Sequence, residues 1–83
     1  MKKSYLDRTK TICNTILGSY LTTTILTFEE MVVYQKKLEE WLSSVTTCFL
    51  NSPYFGKEEY VECIDYIHNT KDEIYKSYFQ RYE

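Results

Sequence analysis

The chain has 83 residues, a formal net charge of −2 and a hydrophobic fraction of 43%. That length predicts a single domain over residues 1–83, and the hydrophobic fraction excludes a disordered chain. Its 12 acidic and 10 basic residues leave no extended basic patch of the kind that binds nucleic acid.

Glycine and proline are scarce, with two and one residues respectively. A chain with so few turn residues favours a small number of long helices. No apolar run approaches the 18 or so residues that a membrane span requires. The three cysteines are odd in number and irregularly spaced, which is typical of reduced thiols in a cytosol rather than of a disulfide framework. We therefore expect an all-α protein in the cytoplasm.

The first predicted helix covers residues 4–21. Eight residues share one face at 100° per residue: Tyr5, Leu6, Thr9, Ile12, Cys13, Ile16, Leu17 and Tyr20. Gly18 and the threonines at 22–24 are poor helix formers, so the helix is predicted to end near residue 21. We interpret residues 21–28 as a connector. A short strand is the alternative by propensity, although the chain offers it no obvious pairing partner.

The second predicted helix covers residues 28–50. Thr27 and Glu30 have the spacing of a capping box, and Glu29 joins Glu30 in the first turn, where the helix dipole favours negative charge. The apolar face that follows is continuous over the whole segment: Met31, Tyr34, Leu38, Trp41, Leu42, Val45, Cys48 and Phe49. This segment is the clearest helix in the sequence.

The third predicted helix covers residues 57–81, after Pro53 has ended the second. Its predicted apolar face comprises Tyr60, Val61, Ile64, Ile67, Ile74, Tyr75, Tyr78, Phe79 and Tyr82. Lys71 lies within that stripe, and residues 68–70 are weak helix formers, so a break there would give four helices. The apolar residues before and after residue 70 fall on the same face of one continuous helix. This favours one long helix in which Lys71 reaches solvent or is paired.

These elements predict a small antiparallel three-helix bundle with short connections. In such a bundle the end of the third helix returns to the first connector. We therefore expect Tyr78 and Tyr82 to lie near Ile25 and Phe28.

Few residues could support catalysis or hold a metal. The single histidine, His68, is five residues from Cys63, which separates the two by about 140° around a helix, and no Cys-x-x-Cys pair occurs. Cys13, Cys48 and Cys63 lie on or beside apolar faces, where cysteine behaves as a small inert hydrophobe. We expect no enzymatic activity, no metal site and no cofactor.

Nine tyrosines are the unusual feature of the composition. Most lie at the margins of predicted core faces, as amphipathic boundary residues do. Four other residues are predicted to be exposed, and we take them as candidate contacts to a partner. Tyr54 and Phe55 lie in the connector before the third helix, Tyr66 on its polar side, and Val33 among polar residues of the second helix.

These features predict a small cytosolic protein-interaction module that binds another protein, as a regulator, inhibitor or immunity-type protein of the sort that mobile elements encode. The partner could also be a second copy of the chain. Two other classes stay open. One is a nucleic-acid-binding helical bundle, with a helix-turn-helix around residues 51–60 whose second helix begins with the unfavourable charges Lys57-Glu58-Glu59. The other is a structural subunit of a larger assembly.

Overall fold

A computed structural model of the protein describes the backbone of residues 4–22 and 27–82 and the side chains up to residue 80. Over these ranges the chain forms three helices and no strand: α1 (Tyr5–Thr22), α2 (Phe28–Asn51) and α3 (Lys57–Tyr82). The predicted fold class is confirmed, and every helix boundary lies within one residue of its prediction.

The start of α1 is tied both to its own preceding residue and to α3. The Ser4 side-chain oxygen accepts a hydrogen bond from the Asp7 amide at 3.1 Å, and a Glu59 carboxylate oxygen accepts one from the Tyr5 amide at 3.0 Å. The first amides of a helix have no partner within the helix itself. Here Glu59 satisfies one of them, and it thereby links the first turns of α1 and α3.

Residues at both ends of α2 act as the sequence predicts. Thr27 has extended backbone angles (φ −87°, ψ 161°), and its hydroxyl oxygen accepts a hydrogen bond from the Glu30 amide at 3.1 Å. Ser52, extended before Pro53, donates its amide to the Cys48 carbonyl at 2.9 Å. The choice between connector and strand for residues 21–28 falls mainly on residues 23–26, which lie outside the described residues.

Helix α3 is continuous, so the four-helix alternative is wrong. The Thr70 hydroxyl donates to the Tyr66 carbonyl one turn earlier at 2.8 Å, which satisfies a buried polar side chain within the helix. Lys71 is half-buried and forms an ion pair with Glu39 of α2 at 3.2 Å. The lysine that interrupts the apolar stripe therefore lies at the edge of the core and is paired across two helices.

The helices alternate in direction, with α2 antiparallel to both of its neighbours. Contacts between α1 and α3 advance together along the two helices, from Tyr5 with Glu59 to Asn14 with Tyr66. Contacts between α2 and α3 run in opposite directions. The buried residues form two clusters, the first comprising Cys13, Tyr20, Met31, Leu38, Ile67 and Ile74 and the second comprising Val45, Phe55 and Cys63. Trp41 packs against both clusters and joins them.

The buried face of α3 differs from the predicted one. Val61, Tyr75 and Phe79 are 45%, 50% and 40% exposed. The predicted Ile67 and Ile74 are buried, and Cys63 and Thr70, which were not predicted, complete the buried stripe. Helix α3 makes its most extensive backbone contact with α1, where small side chains allow the two helices to approach closely. This contact turns the small residues of α3 inward and several of its large ones outward.

The predicted meeting of the end of α3 with the start of α2 is confirmed for one pair. The rings of Phe28 and Tyr78 lie edge to face with their centroids 5.9 Å apart. The other expected members of this contact, Ile25 and the Tyr82 side chain, lie outside the described residues.

Leu38 and Leu50 provide a matched test of the core. Leu38 is fully buried, whereas Leu50 of the same helix is 75% exposed. We expect Leu38→Ala to lower the free energy of unfolding by about 2–4 kcal/mol because it leaves a cavity. At protein concentrations low enough to exclude self-association, Leu50→Ala should change it by less than about 0.5 kcal/mol. Urea unfolding followed by circular dichroism measures both, and similar losses would contradict the described core.

Candidate functional site

Two of the four predicted partner-contact residues are exposed, but they lie far apart. Tyr54 is 95% exposed in the turn between α2 and α3, and Val33 is 51% exposed near the start of α2. At 1.5 Å per residue, the length of α2 between Val33 and that turn is on the order of 27 Å. These two residues do not form one site.

Phe55 was expected in an exposed connector, and that expectation is wrong. Its side chain is 4% exposed, and its ring stacks on Tyr5 with the centroids 4.3 Å apart and meets the edges of Phe49 and Tyr60. Phe55 closes one end of the bundle. The sequence did contain a signal for this role: Gly56 precedes α3, and apolar residues just before a helix cap and four residues after it form a hydrophobic staple. Phe55 and Tyr60 occupy those two positions.

Tyr66 was predicted on the polar side of α3, and the structure places it at the edge of the core instead. Its ring is half-buried against the larger buried cluster. Its hydroxyl donates a 2.8 Å hydrogen bond to the side-chain oxygen of Asn14 in α1. The turn of α3 towards α1 explains this position. Tyr66 is therefore a contact between helices, and one edge of it lines a shallow groove beside Lys10 and Glu62.

The α1–α3 contact contains a seam of small polar residues, which we call the Thr/Cys seam: Thr9, Cys13, Cys63 and Thr70. All four are buried. Burial raises the pKa of the Cys13 thiol, and the hydroxyl of Thr70 beside it offsets part of that rise. Burial also raises the pKa of Cys63, with Thr9 in the offsetting position. A nucleophilic cysteine needs a lowered pKa, so these two thiols have the properties of packing residues.

Trp41 connects α2 to the Thr/Cys seam. Its ring nitrogen Nε1 donates a 2.9 Å hydrogen bond to the hydroxyl oxygen of Thr9. A buried indole N–H needs an acceptor, and this one finds it on α1. A single side chain thereby aligns α2 with the interface between the other two helices.

Residues that could hold a metal do not gather in the described part of the chain, where no group of three or more His, Cys, Asp or Glu side chains occurs. His68 is exposed on α3. Across residues 4–22 and 27–82, no helix has the length and apolar character that crossing a membrane requires.

The exposed apolar side chains are concentrated on one side of the bundle. Eight large hydrophobic residues are exposed in the described chain, and helix periodicity places five of them on the side of the bundle formed by α2 and α3. We call this surface the α2/α3 face. Its exposed apolar residues are Phe28 and Leu50 of α2 and Val61, Tyr75 and Phe79 of α3. Scattered single residues are normal on protein surfaces, whereas a concentration on one side marks an interaction site.

One end of the α2/α3 face is a continuous aromatic patch. Phe28 contacts Tyr78, and Tyr78 contacts Phe79 with their ring centroids 5.3 Å apart. Tyr75 lies against the other side of Phe79 at 4.7 Å. Four rings from two helices therefore form one surface at the end of the bundle where α3 finishes.

The opposite end of the face is aliphatic. The Thr46 hydroxyl and the Tyr60 hydroxyl are hydrogen-bonded at 3.0 Å, which places both residues at the α2–α3 boundary. Leu50 lies one helical turn beyond Thr46. Val61 follows Tyr60 and precedes Tyr75 by 14 residues, the spacing that returns a helix to nearly the same side. Leu50 and Val61 thus continue the surface that the aromatic patch begins.

A polar strip crosses the middle of the face. The Gln35 side-chain amide donates to the main-chain carbonyl of Lys71 at 2.9 Å, and the Lys71 ammonium is 3.2 Å from a Glu39 carboxylate oxygen. This ion pair lies between the exposed apolar residues of the two ends, and the exposed His68, seven residues from both Val61 and Tyr75, lies on the same side of α3.

The hydrogen bond from Trp41 to Thr9 can be tested with an isosteric change. We expect Thr9→Val to lower the free energy of unfolding by about 1–2 kcal/mol because the partly buried indole N–H loses its acceptor. In a Trp41→Phe background the same change should cost much less. Urea unfolding of the four proteins in this cycle gives the coupling, and additive costs would show that the hydrogen bond contributes nothing.

Thiol alkylation tests the Thr/Cys seam. Alkylating reagents attack the thiolate, and the raised pKa of Cys13 and Cys63 lowers the thiolate fraction at any given pH. We expect the half-buried Cys48 to react first with iodoacetamide in the native protein, and Cys13 and Cys63 to react only after denaturant is added. Mass spectrometry of timed samples locates the label. Early labelling of Cys13 or Cys63 would contradict the described burial.

Comparison with models of protein families, with curated proteins and with solved structures finds no match to this chain. What the surface can do therefore has to follow from its own residues.

Proposed function

We propose that this protein acts by binding another protein through the α2/α3 face. The observation that supports this proposal is the concentration of exposed apolar residues there, five of the eight in the described chain. Three of the five, Phe28, Tyr75 and Phe79, belong to the aromatic patch, and aromatic side chains are enriched at the energetic centres of protein interfaces. The polar strip at Glu39 and Lys71 adds charges that could fix the orientation of a partner.

The mode of action that suits this surface is steric. The face is carried by two continuous helices, of which α2 is capped at both ends and α3 is tied to α1 in its first turn, so binding would require little ordering of the backbone. A rigid surface of this kind can cover or hold a site on a partner without chemistry of its own. A regulator, an inhibitor or an immunity-type protein would act in this way, and three free thiols suit a reducing compartment such as the cytoplasm.

Two valines provide a matched test of this function. Val61 lies on the α2/α3 face and Val33 lies away from it, and their exposures are similar, at 45% and 51%. In affinity capture from lysate of the producing cells, we expect Val61→Asp to weaken binding of the captured protein at least tenfold, because the new carboxylate would be buried on binding. Val33→Asp should bind as the unchanged protein does.

Circular dichroism and urea midpoints of both variants control for folding, since each places the same side chain on a helix surface. Equal capture by the two variants would remove the face from the function. Failure of the unchanged protein to capture anything under these conditions would contradict the proposal itself.

A further inference from the structure

The α2/α3 face is complementary to a second copy of itself. Its charged centre consists of one carboxylate, Glu39, on α2 and one ammonium, Lys71, on α3, and both remain partly exposed (56% and 22%). Exposed apolar residues lie towards both ends, with Lys57 and Glu58 beside Val61, and the pair at the centre has no net charge. A surface that carries a positive and a negative charge at the same height along the bundle can pair with the same surface of a second copy.

The direction of the two-fold axis follows from these charges. An axis running across the helices would place α2 on the α2 of the second copy, so Glu39 would face Glu39 and Lys71 would face Lys71. An axis running along the helices places α2 on the α3 of the second copy. Each Glu39 then faces a Lys71, and like charges are kept apart.

We propose that the α2/α3 face binds the same face of a second copy of this chain about a two-fold axis that runs along the helices. This inference rests on the proposed function of the face and names its partner. Helices α2 and α3 of both copies form a four-helix bundle in which each helix is antiparallel to its two neighbours. The aromatic patches meet at one end of the dimer, and Leu50 of each copy meets Val61 of the other at the opposite end.

A whole side of the bundle is large enough for such a dimer. The chain measures 45 × 23 × 16 Å, so a side of it covers roughly 700–1,000 Å², and a stable interface buries about 800 Å² on each partner. A net charge of −2 per copy opposes association only weakly. An 83-residue chain also has a small core, and covering five exposed apolar residues adds to what it can bury.

A charge-swap experiment tests the pairing of copies. The Lys71→Glu variant carries two negative groups at the centre of the face, and the Glu39→Lys variant carries two positive groups. We expect the unchanged protein to be a dimer in size-exclusion chromatography with light scattering across a dilution series. The dimer that each variant forms alone should have a Kd at least tenfold higher than that of the unchanged protein. A 1:1 mixture of the two should recover the dimer, because negative centres then face positive ones.

Matched variants separate this result from general destabilisation. Lys10→Glu makes the same charge change on α1, away from the face, and should leave the dimer intact. Val33→Asp should also remain dimeric, whereas Val61→Asp should become monomeric. Circular dichroism of each variant shows whether the helices are retained. Recovery of the dimer on mixing cannot arise from unfolding of either variant.

Three outcomes would overturn the inference. They are a monomer at every concentration, variants that stay dimeric alone, and a mixture that remains monomeric. If the unchanged protein is a monomer and Val61→Asp still loses a captured protein of another kind, the face binds a different partner and the proposed function stands. If the dimer forms as described and no other protein is captured in a face-dependent way, the inference stands and binding of a different protein through this face is contradicted.

Discussion

The close contact between α1 and α3 determines most of what the surface of this protein presents. The Thr/Cys seam is made of small side chains, so the two helix backbones can approach more closely than leucines would allow. The Thr70 hydroxyl donates to the Tyr66 carbonyl and the Thr9 hydroxyl accepts from the Trp41 ring nitrogen, which lowers the cost of burying these polar groups. Because α3 turns its small residues towards α1, Tyr75, Phe79 and Val61 point away from the core. The exposed apolar face is therefore a consequence of how the core is packed.

The two ends of the bundle are organised differently, and both depend on aromatic rings. Phe55 fills the end near the α2–α3 turn, where it is surrounded by Tyr5, Phe49 and Tyr60. At the other end Phe28, Tyr75 and Phe79 are exposed, and Tyr78 packs against the larger buried cluster. Trp41 packs against both buried clusters, and its indole N–H donates a hydrogen bond to Thr9. This one side chain therefore fixes the position of α2 relative to the α1–α3 contact. The result is a rigid scaffold in which the closed end supports folding and the open end supplies the aromatic part of the proposed interface.

The ion pair between Lys71 and Glu39 connects the fold to the proposed function. Surface ion pairs contribute little to stability, typically about 0–1 kcal/mol, so this one is better suited to orientation than to stability. Placed between two apolar ends, it would penalise any arrangement that brings like charges together, and it would make the correct arrangement of two faces distinguishable from others of similar area. Apolar residues at the ends would supply affinity, and the charged centre would determine how the two bound faces are oriented relative to each other.

Local patterns in the sequence determined the helices, and tertiary packing decided which residues face outward. Thr27, Glu30 and Pro53 act through neighbouring backbone groups only, so the helix ends and the three-helix architecture could be predicted from spacing alone. The role of Phe55 was also available from its position before the α3 cap. The rotation of α3 could not be predicted from the sequence. A periodicity argument counts large apolar residues as buried, whereas the close α1–α3 contact buries small ones such as Cys63 and Thr70. That rotation moved Tyr66 to the edge of the core and exposed Tyr75 and Phe79. The candidate face could therefore be found only once the helices were placed against one another.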